Sequence, residues 1–542
     1  MSKQQIQLSI NGTTRKRAFF LVYIVLCIIT PIGCINRQVK AESIESKVAI
    51  PKDDVEFRKN GAIVLQAYTN TLTNLSSSNS SEPLVQEIYR QQGYAFIWLN
   101  KNGVSPKGKE LLQFIDKVDF LGLNKELYHY ESLHQLEDSI NKVLPKVDFV
   151  LFKQLELMLT HTFLQIALHI DAGMYNEQHN AINEDYTPLA VNHKELLSTL
   201  ATKPIATLIS SLEPNHQQYR RYMAQLRKFV ATNAISANTI HIRSIKEDSL
   251  GAIDDIRTAL VYHHYLSASV TKEEKAYINA LKKFQSDNNL NPDGQIGKNT
   301  VKALERNNAR KFQLLVINAD RWRSDAIDKF PERYLWLNLP SFRLRLIDHD
   351  TLRLEKRVVI GKPKTPTPIL ESAINQIILW PTWTVPQSII KKEMKSFVGY
   401  DVFYRDGRMM VVQPPGLKNA LGVVKLVFPN RFSVYIHDTP TKSLFNIDVR
   451  AASHGCVRCQ DALEVAAQLI QVDSSGITYD SLVVLKDEKI ATRVMRLKKP
   501  MPVYFRYFTA EADMKNNLIF YEDLYKKDEK MLSIIFKKAL NK

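Results

Sequence analysis

A histidine and a cysteine nineteen residues apart, His437 and Cys456, are the pair in this sequence whose types and spacing suit nucleophilic catalysis. They lie in the stretch VYIHDTPTKSLFNIDVRAASHGCVRCQDALEVAAQLI, which runs from Val434 to Ile470. Val434-Tyr435-Ile436 reads as a strand running straight into His437. Gly455 gives a turn before the thiol. A helix is expected next, with Asp461 as its cap, Glu464 three residues on as in a capping box, and Ala462, Val465, Ala466 and Leu469 on its inner face. This order puts Cys456 near a helix N-terminus with Arg458 close by, and both features lower a thiol pKa. A histidine within hydrogen-bond reach would complete an activated nucleophile. Around Gly455 the backbone can turn sharply enough to aim the Gly455 and Cys456 amides at an oxyanion.

The elements that must hold these groups are strands. Beyond Pro331, Phe342, Leu344 and Leu346 alternate with Arg343 and Arg345, and Asp348-His349-Asp350 supplies a turn. Val424, Leu426 and Phe428 alternate in the same way. Between two Trp/Pro-rich segments lies an insert, residues 387–412, long enough to serve as a lid or binding loop. Upstream of Pro331 the texture is helical. Leu155, Leu159, Phe163, Ile166 and Ile170 recur at helical spacing, with Gly173 as the stop. A second amphipathic stretch covers residues 219–230. His161 and His169 read as packed or surface histidines within a scaffold. Within residues 272–307, Ile278, Leu281 and Phe284 mark one helical face. Asn291-Pro292-Asp293-Gly294 makes a turn there, and Val301 with Leu304 marks a second short helix.

At 542 residues the chain exceeds a single core. A net charge of +17 suits a polyanionic partner, either nucleic acid or an anionic cell envelope. The N-terminus decides between them. Lys3, Arg15, Lys16 and Arg17 precede an apolar run over residues 19–29. Pro31 and Gly33 follow, then the small-residue site Val39-Lys40-Ala41, and no acidic residue stands before Glu42. That order is a secretory leader cleaved before Glu42. As an uncleaved anchor, residues 19–35 would span only ~26 Å, and Gly33-Cys34 offers a lipoprotein reading. Each version puts the body of the protein outside the cytoplasm, so nucleic acid is set aside. Cys27 and Cys34 belong to the leader, leaving Cys456 and Cys459, too few to staple the fold and in need of a chemical explanation.

The sequence resembles the L,D-transpeptidases with a YkuD-like catalytic domain. The resemblance rests on Ser453-His454-Gly455-Cys456-Val457-Arg458 with His437-Asp438-Thr439-Pro440 upstream. It extends to Gly361-Lys362-Pro363, Pro381-Thr382-Trp383, Gln413-Pro414-Pro415-Gly416, Asn419-Ala420-Leu421-Gly422 and Pro502-Val503-Tyr504. Phe284-Gln285, Asp293-Gly294, Ile296-Gly297 and Thr300 resemble a small peptidoglycan-binding module. Together with the helical scaffold this is similar to the large Gram-negative type. The fold so implied is an α+β multidomain chain whose catalytic domain is mainly β and sandwich-like. Its expected divisions are a leader or anchor (1–41), linker (42–83), helical scaffold (84–270), three-helix peptidoglycan-binding module (271–307), connector helix (308–330), catalytic domain (331–500, lid 387–412) and a C-terminal segment packing on the scaffold (501–542).

What the resemblance implies for function is periplasmic formation of 3→3 cross-links between peptidoglycan tetrapeptide stems through a Cys456 thioester, with release of D-Ala. His437 is then the base, oriented by a backbone carbonyl near Asp438. His454 and Gly455 shape the turn and oxyanion hole, and Arg458 fixes the loop or a substrate carboxylate. Trp383, Tyr435, Asn419, Asp438 and Ser453 line the substrate. Expected partners are stem peptides, glycan strands, carbapenem inhibitors and other wall-synthesis enzymes; no cofactor or metal is expected. L,D-carboxypeptidation and protein-to-wall attachment share the same acyl-enzyme. Two departures stand out: Trp380, where similar proteins carry Asn, and Cys459, where an aliphatic residue is usual.

Rival readings use the same residues. Cys456-Val457-Arg458-Cys459 is a C-x-x-C pair, but no βαβ context for a thiol oxidoreductase surrounds it. His437, His454, Cys456 and Cys459 have permissible zinc-ligand types at an unusual spacing. A non-catalytic wall-binding protein needs neither the histidine nor the thiol. On a turn, Cys459 would come within the 4.4–6.8 Å Cα range of a disulfide to Cys456; packed in a core, it would serve as a small hydrophobe.

Overall fold

A computed structural model describes residues 52–72, 81–185, 199–200, 202–271, 273–325, 330–472, 478–488 and 490–536. The leader expected over residues 1–41 lies outside them. The chain divides into two units. One comprises residues 1–117, 125–174 and 183–213, the other residues 118–124, 175–182 and 214–542. No helix among the described residues is long and apolar enough to cross a membrane.

The first unit is helical. Its central helix, Phe149–Ala172, begins where the Asp148 carboxylate accepts from the Val150 and Leu151 amides and ends at Gly173. Leu155, Leu159, Phe163, Ile166 and Ile170 are all buried along it, and truncating any one to alanine would cost about 2–5 kcal/mol. His169 is packed, its Nδ1 2.8 Å from the Tyr128 hydroxyl, and His161 Nδ1 is 2.9 Å from Ser81 Oγ. The expected linker contains a helix, Lys52–Leu72. Apolar contact draws it in: the Phe57 ring lies 5.5–5.9 Å from those of Phe96, Phe149 and Phe152.

The second unit holds the small helical module and the β domain. The module's core joins Tyr277, Leu281, Phe284 and Leu304 to Ile256, Ala259 and Leu260. Its third helix is therefore Ser249–Tyr262, ahead of the expected boundary at 271. Gln285 fixes the turn, donating to Asp293 and to the Gln295 carbonyl and accepting from the Gly294 amide.

The β domain is built from β1 (Arg333–Asn338), β2 (Arg343–Asp348), β3 (Thr351–Gly361), β4 (Leu370–Leu379), β5 (Trp383–Thr384), β6 (Asp401–Arg405), β7 (Arg408–Gln413), β8 (Val424–Val427), β9 (Ile436–His437), β10 (Ala451–Ser453), β11 (Val457–Cys459) and β12 (Arg493–Arg506). Nine of these form one sheet in the order β10-β3-β11-β9-β8-β4-β12-β1-β2. The long strand β3 also pairs with β2, so the sheet wraps around a single core of inward aliphatic residues such as Ile360, Ile377, Leu426, Ile436, Val457 and Val503. The expected boundary at residue 500 falls inside β12, which pairs with both β1 and β4. The helix Asp528–Ile535 that follows packs on the helix Asn308–Ser324 of the same unit.

The insert at 387–412 is more than a loop. It carries the helix Gln387–Lys392 and the strands β6 and β7, which join β5 just ahead of it in a three-stranded sheet of order β6-β7-β5. Val385, Ile390 and Val411 give it a small core of its own, packed with Trp383, Met394 and Tyr400. We refer to it as the flap. The turn at Trp380 is left-handed, φ +47°, a conformation that Asn tolerates and a bulky residue does not. Burial of the indole offsets that strain, and its Nε1 donates to the Lys486 carbonyl at 2.9 Å.

Candidate active site

Strand alternation assembles the site. On β8, β9 and β11 the side chains of Val424, Leu426, Ile436, Val457 and Cys459 enter the core. The residues between them must face the other way. In the register, Lys425 lies opposite His437 on the antiparallel β8–β9 pair, and His437 opposite Arg458 on the parallel β9–β11 pair. Tyr435 and Cys456 sit at the strand ends, joined by the Val457 amide donating to the Tyr435 carbonyl at 3.0 Å. One face thus carries Lys425, Tyr435, His437, Cys456 and Arg458.

His437 is 5% exposed. Its Nδ1 donates to the Asp438 carbonyl at 2.5 Å, so Nε2 keeps the lone pair of the neutral ring. Burial drives its pKa down to about 3; the carbonyl opposes this, and the nearby charges of Arg458 and Lys425 add to it. The Cys456 thiol lies above its ordinary value. Burial is the main cause, opposed by hydrogen bonds from Tyr435 and by the charges of Lys425 and Arg458. The helix that was to activate it, Ala462–Val472, begins only beyond β11. Asp461 is not its side-chain cap: it takes φ +49° and its carboxylate pairs with Lys356, as does Glu464. The resting pair is therefore a neutral thiol beside a neutral imidazole, and two cations work against burial.

The turn before the thiol needs glycine, since Gly455 has φ +116°. Its amide, expected at the oxyanion hole, instead donates to Ser453 Oγ at 3.1 Å, while that hydroxyl donates to the Cys456 carbonyl at 2.5 Å. Among the described residues the Cys456 amide has no acceptor. Ser453 is thus a brace of the loop.

Two further residues expected to line the substrate hold loops. Asn419 donates to the carbonyls of Pro381, Gln413 and Pro414 and accepts from the Leu421 amide. Asp438 accepts from the Val423 amide and pairs with Lys442, fitting against Gly422, whose φ of +62° and missing Cβ make room for it. Both side chains are buried and engaged with the backbone or a neighbouring lysine, which makes them braces of these loops.

Trp383 and Tyr435 do face the site. The Tyr435 hydroxyl hydrogen-bonds to both the Cys456 sulfur and Trp383, linking the flap to the Cys456 thiol. His454, expected to shape the oxyanion hole, points elsewhere. Its Nε2 lies 2.6 Å from the Glu393 carboxylate, just past the flap helix. Glu393 and Lys425 escaped the sequence reading. In the sequence Lys425 is legible only as the polar member of the Val424-Lys425-Leu426 alternation; its register against His437 is set by the folded sheet.

Cys459 is fully buried in the core, and both cysteines are free. Extended chain separates residues three apart by ~10 Å, beyond the reach of a disulfide, and the two side chains lie on opposite faces. The same opposition parts Cys459 from any zinc cluster with His437, and among the described residues no three His, Cys, Asp or Glu side chains converge on a metal position.

Comparison with known proteins agrees with this geometry. Residues 332–484 match the family described as "L,D-transpeptidase catalytic domain", residues 83–226 the "Scaffold domain" and residues 252–304 the "Putative peptidoglycan binding domain". A Haemophilus influenzae protein named "Putative L,D-transpeptidase" is 22% identical over 444 residues, 69% of this chain and 88% of that one. Among solved structures, a mutant of an Enterococcus faecium L,D-transpeptidase is 15% identical with a TM-score of 0.16, over 32% of this chain and 50% of that one, so only half of that protein is spanned. The catalytic domain of an E. faecium L,D-transpeptidase acylated by ertapenem is 16% identical with a TM-score of 0.17, over 33% of this chain and 98% of that one. Superpositions this slight carry no weight.

Proposed function

From a chain that carries a YkuD L,D-transpeptidase catalytic domain, a scaffold domain and a peptidoglycan-binding domain, we propose an exported cysteine acyltransferase that forms 3→3 cross-links between peptidoglycan tetrapeptide stems. The observation that carries this reading is the sheet face that holds both a partly exposed Cys456 thiol and a neutral His437, the latter kept in one tautomer by the Asp438 carbonyl.

The chemistry follows from that arrangement. His437 Nε2 takes the thiol proton as sulfur attacks the carbonyl carbon of the donor's third residue. Negative charge builds on the carbonyl oxygen, where the Cys456 amide can donate. The tetrahedral adduct collapses, the D-Ala nitrogen leaves with the proton from His437, and a thioester remains. The side-chain amine of a second stem's third residue then attacks. It gives its proton through His437 to the departing thiolate, and the new amide is the cross-link. Water as acceptor would make the enzyme an L,D-carboxypeptidase, and an amine on a protein would make it a wall ligase. The wall-binding module favours stems on glycan strands. A carbapenem would enter the first half-reaction alone, its strained lactam opening on sulfur to leave a stable acyl-enzyme.

The test is incubation of the protein with purified disaccharide-tetrapeptides and mass identification of the products. Dimers lacking one D-Ala per link support cross-linking. Tripeptide monomers alone would identify the carboxypeptidase. Unchanged substrate, with Cys456 intact and no acyl adduct, would remove the reading.

A further inference from the structure

Lys425 occupies a place where folding alone gives no reason for a lysine. Its neighbours on β8, Val424 and Leu426, are buried in the core, and a β-branched residue would suit the strand better. Its ammonium stands 3.9 Å from the centroid of the Tyr435 ring, a cation–π arrangement that lends the charge partial support. Among the described residues it pairs with no carboxylate, although it is partly withdrawn from water, which is costly for an uncompensated charge. The groups on this face around Cys456 are His437 from β9 and Tyr435 just before it, Lys425 from β8, Arg458 from β11 and, through Tyr435, Trp383 beside the flap. His437 is neutral, so Lys425 and Arg458 are the positive charges on this face, and the anion they would face is Cys456 once it loses its proton.

Tyr435 couples the two groups. Its ring face carries the ammonium while its hydroxyl donates to the Cys456 sulfur. A cation on the ring stabilises negative charge at the hydroxyl's partner and keeps the ring in place. We propose that Lys425 is a positioning residue of the site: seated on the Tyr435 ring, its ammonium is the counter-charge that favours the Cys456 thiolate and holds the Tyr435 hydroxyl against it. The inference rests on Cys456 being the nucleophile, but its effect appears in the thiol's own ionisation, before any substrate binds.

The experiment follows alkylation of the full-length protein by iodoacetamide across pH, with Cys456→Ala identifying the reacting sulfur. Lys425→Met keeps the length of the side chain and its contact with Tyr435 but removes the charge. It should move the alkylation profile to higher pH by about one unit and slow alkylation at neutral pH ~10-fold. Lys425→Arg should stay within about threefold of the wild type. Lys425→Gln is a second neutral variant, for use if the methionine variant misfolds by circular dichroism. In a Tyr435→Phe background the methionine substitution should shift the profile less, because the coupling hydroxyl is gone. Coincident profiles for the wild type and a folded neutral variant would overturn the proposal, as would an equal shift in Lys425→Arg. The proposed activity can fail separately. A shifted alkylation profile in a protein that turns over no stem peptide would sink the acyl-transfer reading and leave Lys425 its role. An active enzyme with an unshifted profile would do the reverse.

Discussion

Glu156 in the helical unit and the His437–Cys456 face of the β domain are both buried polar centres with displaced pKa values, and they are built in opposite ways. Glu156 is wholly enclosed. One carboxylate oxygen accepts from the Tyr89 hydroxyl at 3.0 Å and the Ile97 amide at 2.6 Å, the other from the Trp98 amide at 3.0 Å. Burial pushes its pKa up to about 7 even against those donors. Each polar atom has a partner, and the group ties the segment at 97–98 to the central helix. On the His437–Cys456 face capacity is left over: the Cys456 amide lacks an acceptor, and Lys425 and Arg458 lack carboxylates among the described residues. A shifted pKa is common to both centres and so does not mark a functional site by itself. Unused hydrogen bonds and charges separate the two.

The comparison breaks first at the nucleophile. Cys456→Ala should abolish the acyl adduct formed with a carbapenem or a tetrapeptide donor, as read by intact mass, with the thermal unfolding midpoint unchanged. An adduct of undiminished yield would mean that the chemistry lies elsewhere. His437→Ala comes next, with a loss of ~100-fold or more in acylation rate, the range for a positioned base. Because the ring pKa is near 3 in the fold, the wild-type acylation rate should show no loss from His437 protonation between pH 7 and 5. A steep acid limb in that interval would contradict the buried neutral imidazole.

On the closed side the expected effect is on stability. Glu156→Ala strands the Ile97 and Trp98 amides without an acceptor and leaves the Tyr89 hydroxyl only Thr160 Oγ1 as a close partner, at a cost of about 3 kcal/mol. The pH dependence has a definite sign. Glu156 binds its proton more tightly folded, at about 7, than unfolded, at 4.5. Its contribution to stability is therefore complete below pH 4.5 and is lost as pH rises through about 7. Denaturant titrations at pH 5 and pH 8 should show this decline in the wild type and a flatter response in the variant. A variant as stable as the wild type at both would show that the enclosure is incidental.

Local pattern made much of this legible from sequence. The 3.6-residue period of Leu155, Leu159, Phe163, Ile166 and Ile170 announced the central helix, and alternation announced β2 and β8. What stayed hidden depended on pairing between distant segments. Val457-Arg458-Cys459 is too short to show a period, so the local pattern points Cys456 at a helix end and β11 appears only in the sheet. Lys425 gained meaning only when its register placed it opposite His437. Asn419, Asp438 and Ser453 stand in the right motif, but their roles depend on which carbonyls and amides the loops bring to them. The flap's core, Val385 with Ile390 and Val411, joins a β-strand edge, a helix and a strand, and no single period describes it.

The smallest effect is expected at Cys459, where the two faces of one strand are compared directly. Cys456 and Cys459 are three residues apart, yet one thiol is partly exposed near Lys425 and Arg458 and the other is sealed among Val465, Leu469 and their neighbours. Burial raises the Cys459 pKa far above the ordinary value, which leaves it inert as a thiolate. Cys459→Val changes volume slightly within an apolar shell and should alter stability by less than about 1.5 kcal/mol. Carbapenem acylation after treatment with oxidised glutathione should fall equally in the wild type and in Cys459→Val and recover equally on reduction, because glutathione reaches Cys456 alone. If Cys459→Val resisted oxidation while the wild type did not, the two sulfurs would have to meet. β11 would then need to unravel to let them, and the division between a chemical and a packing face of that strand would not hold in solution.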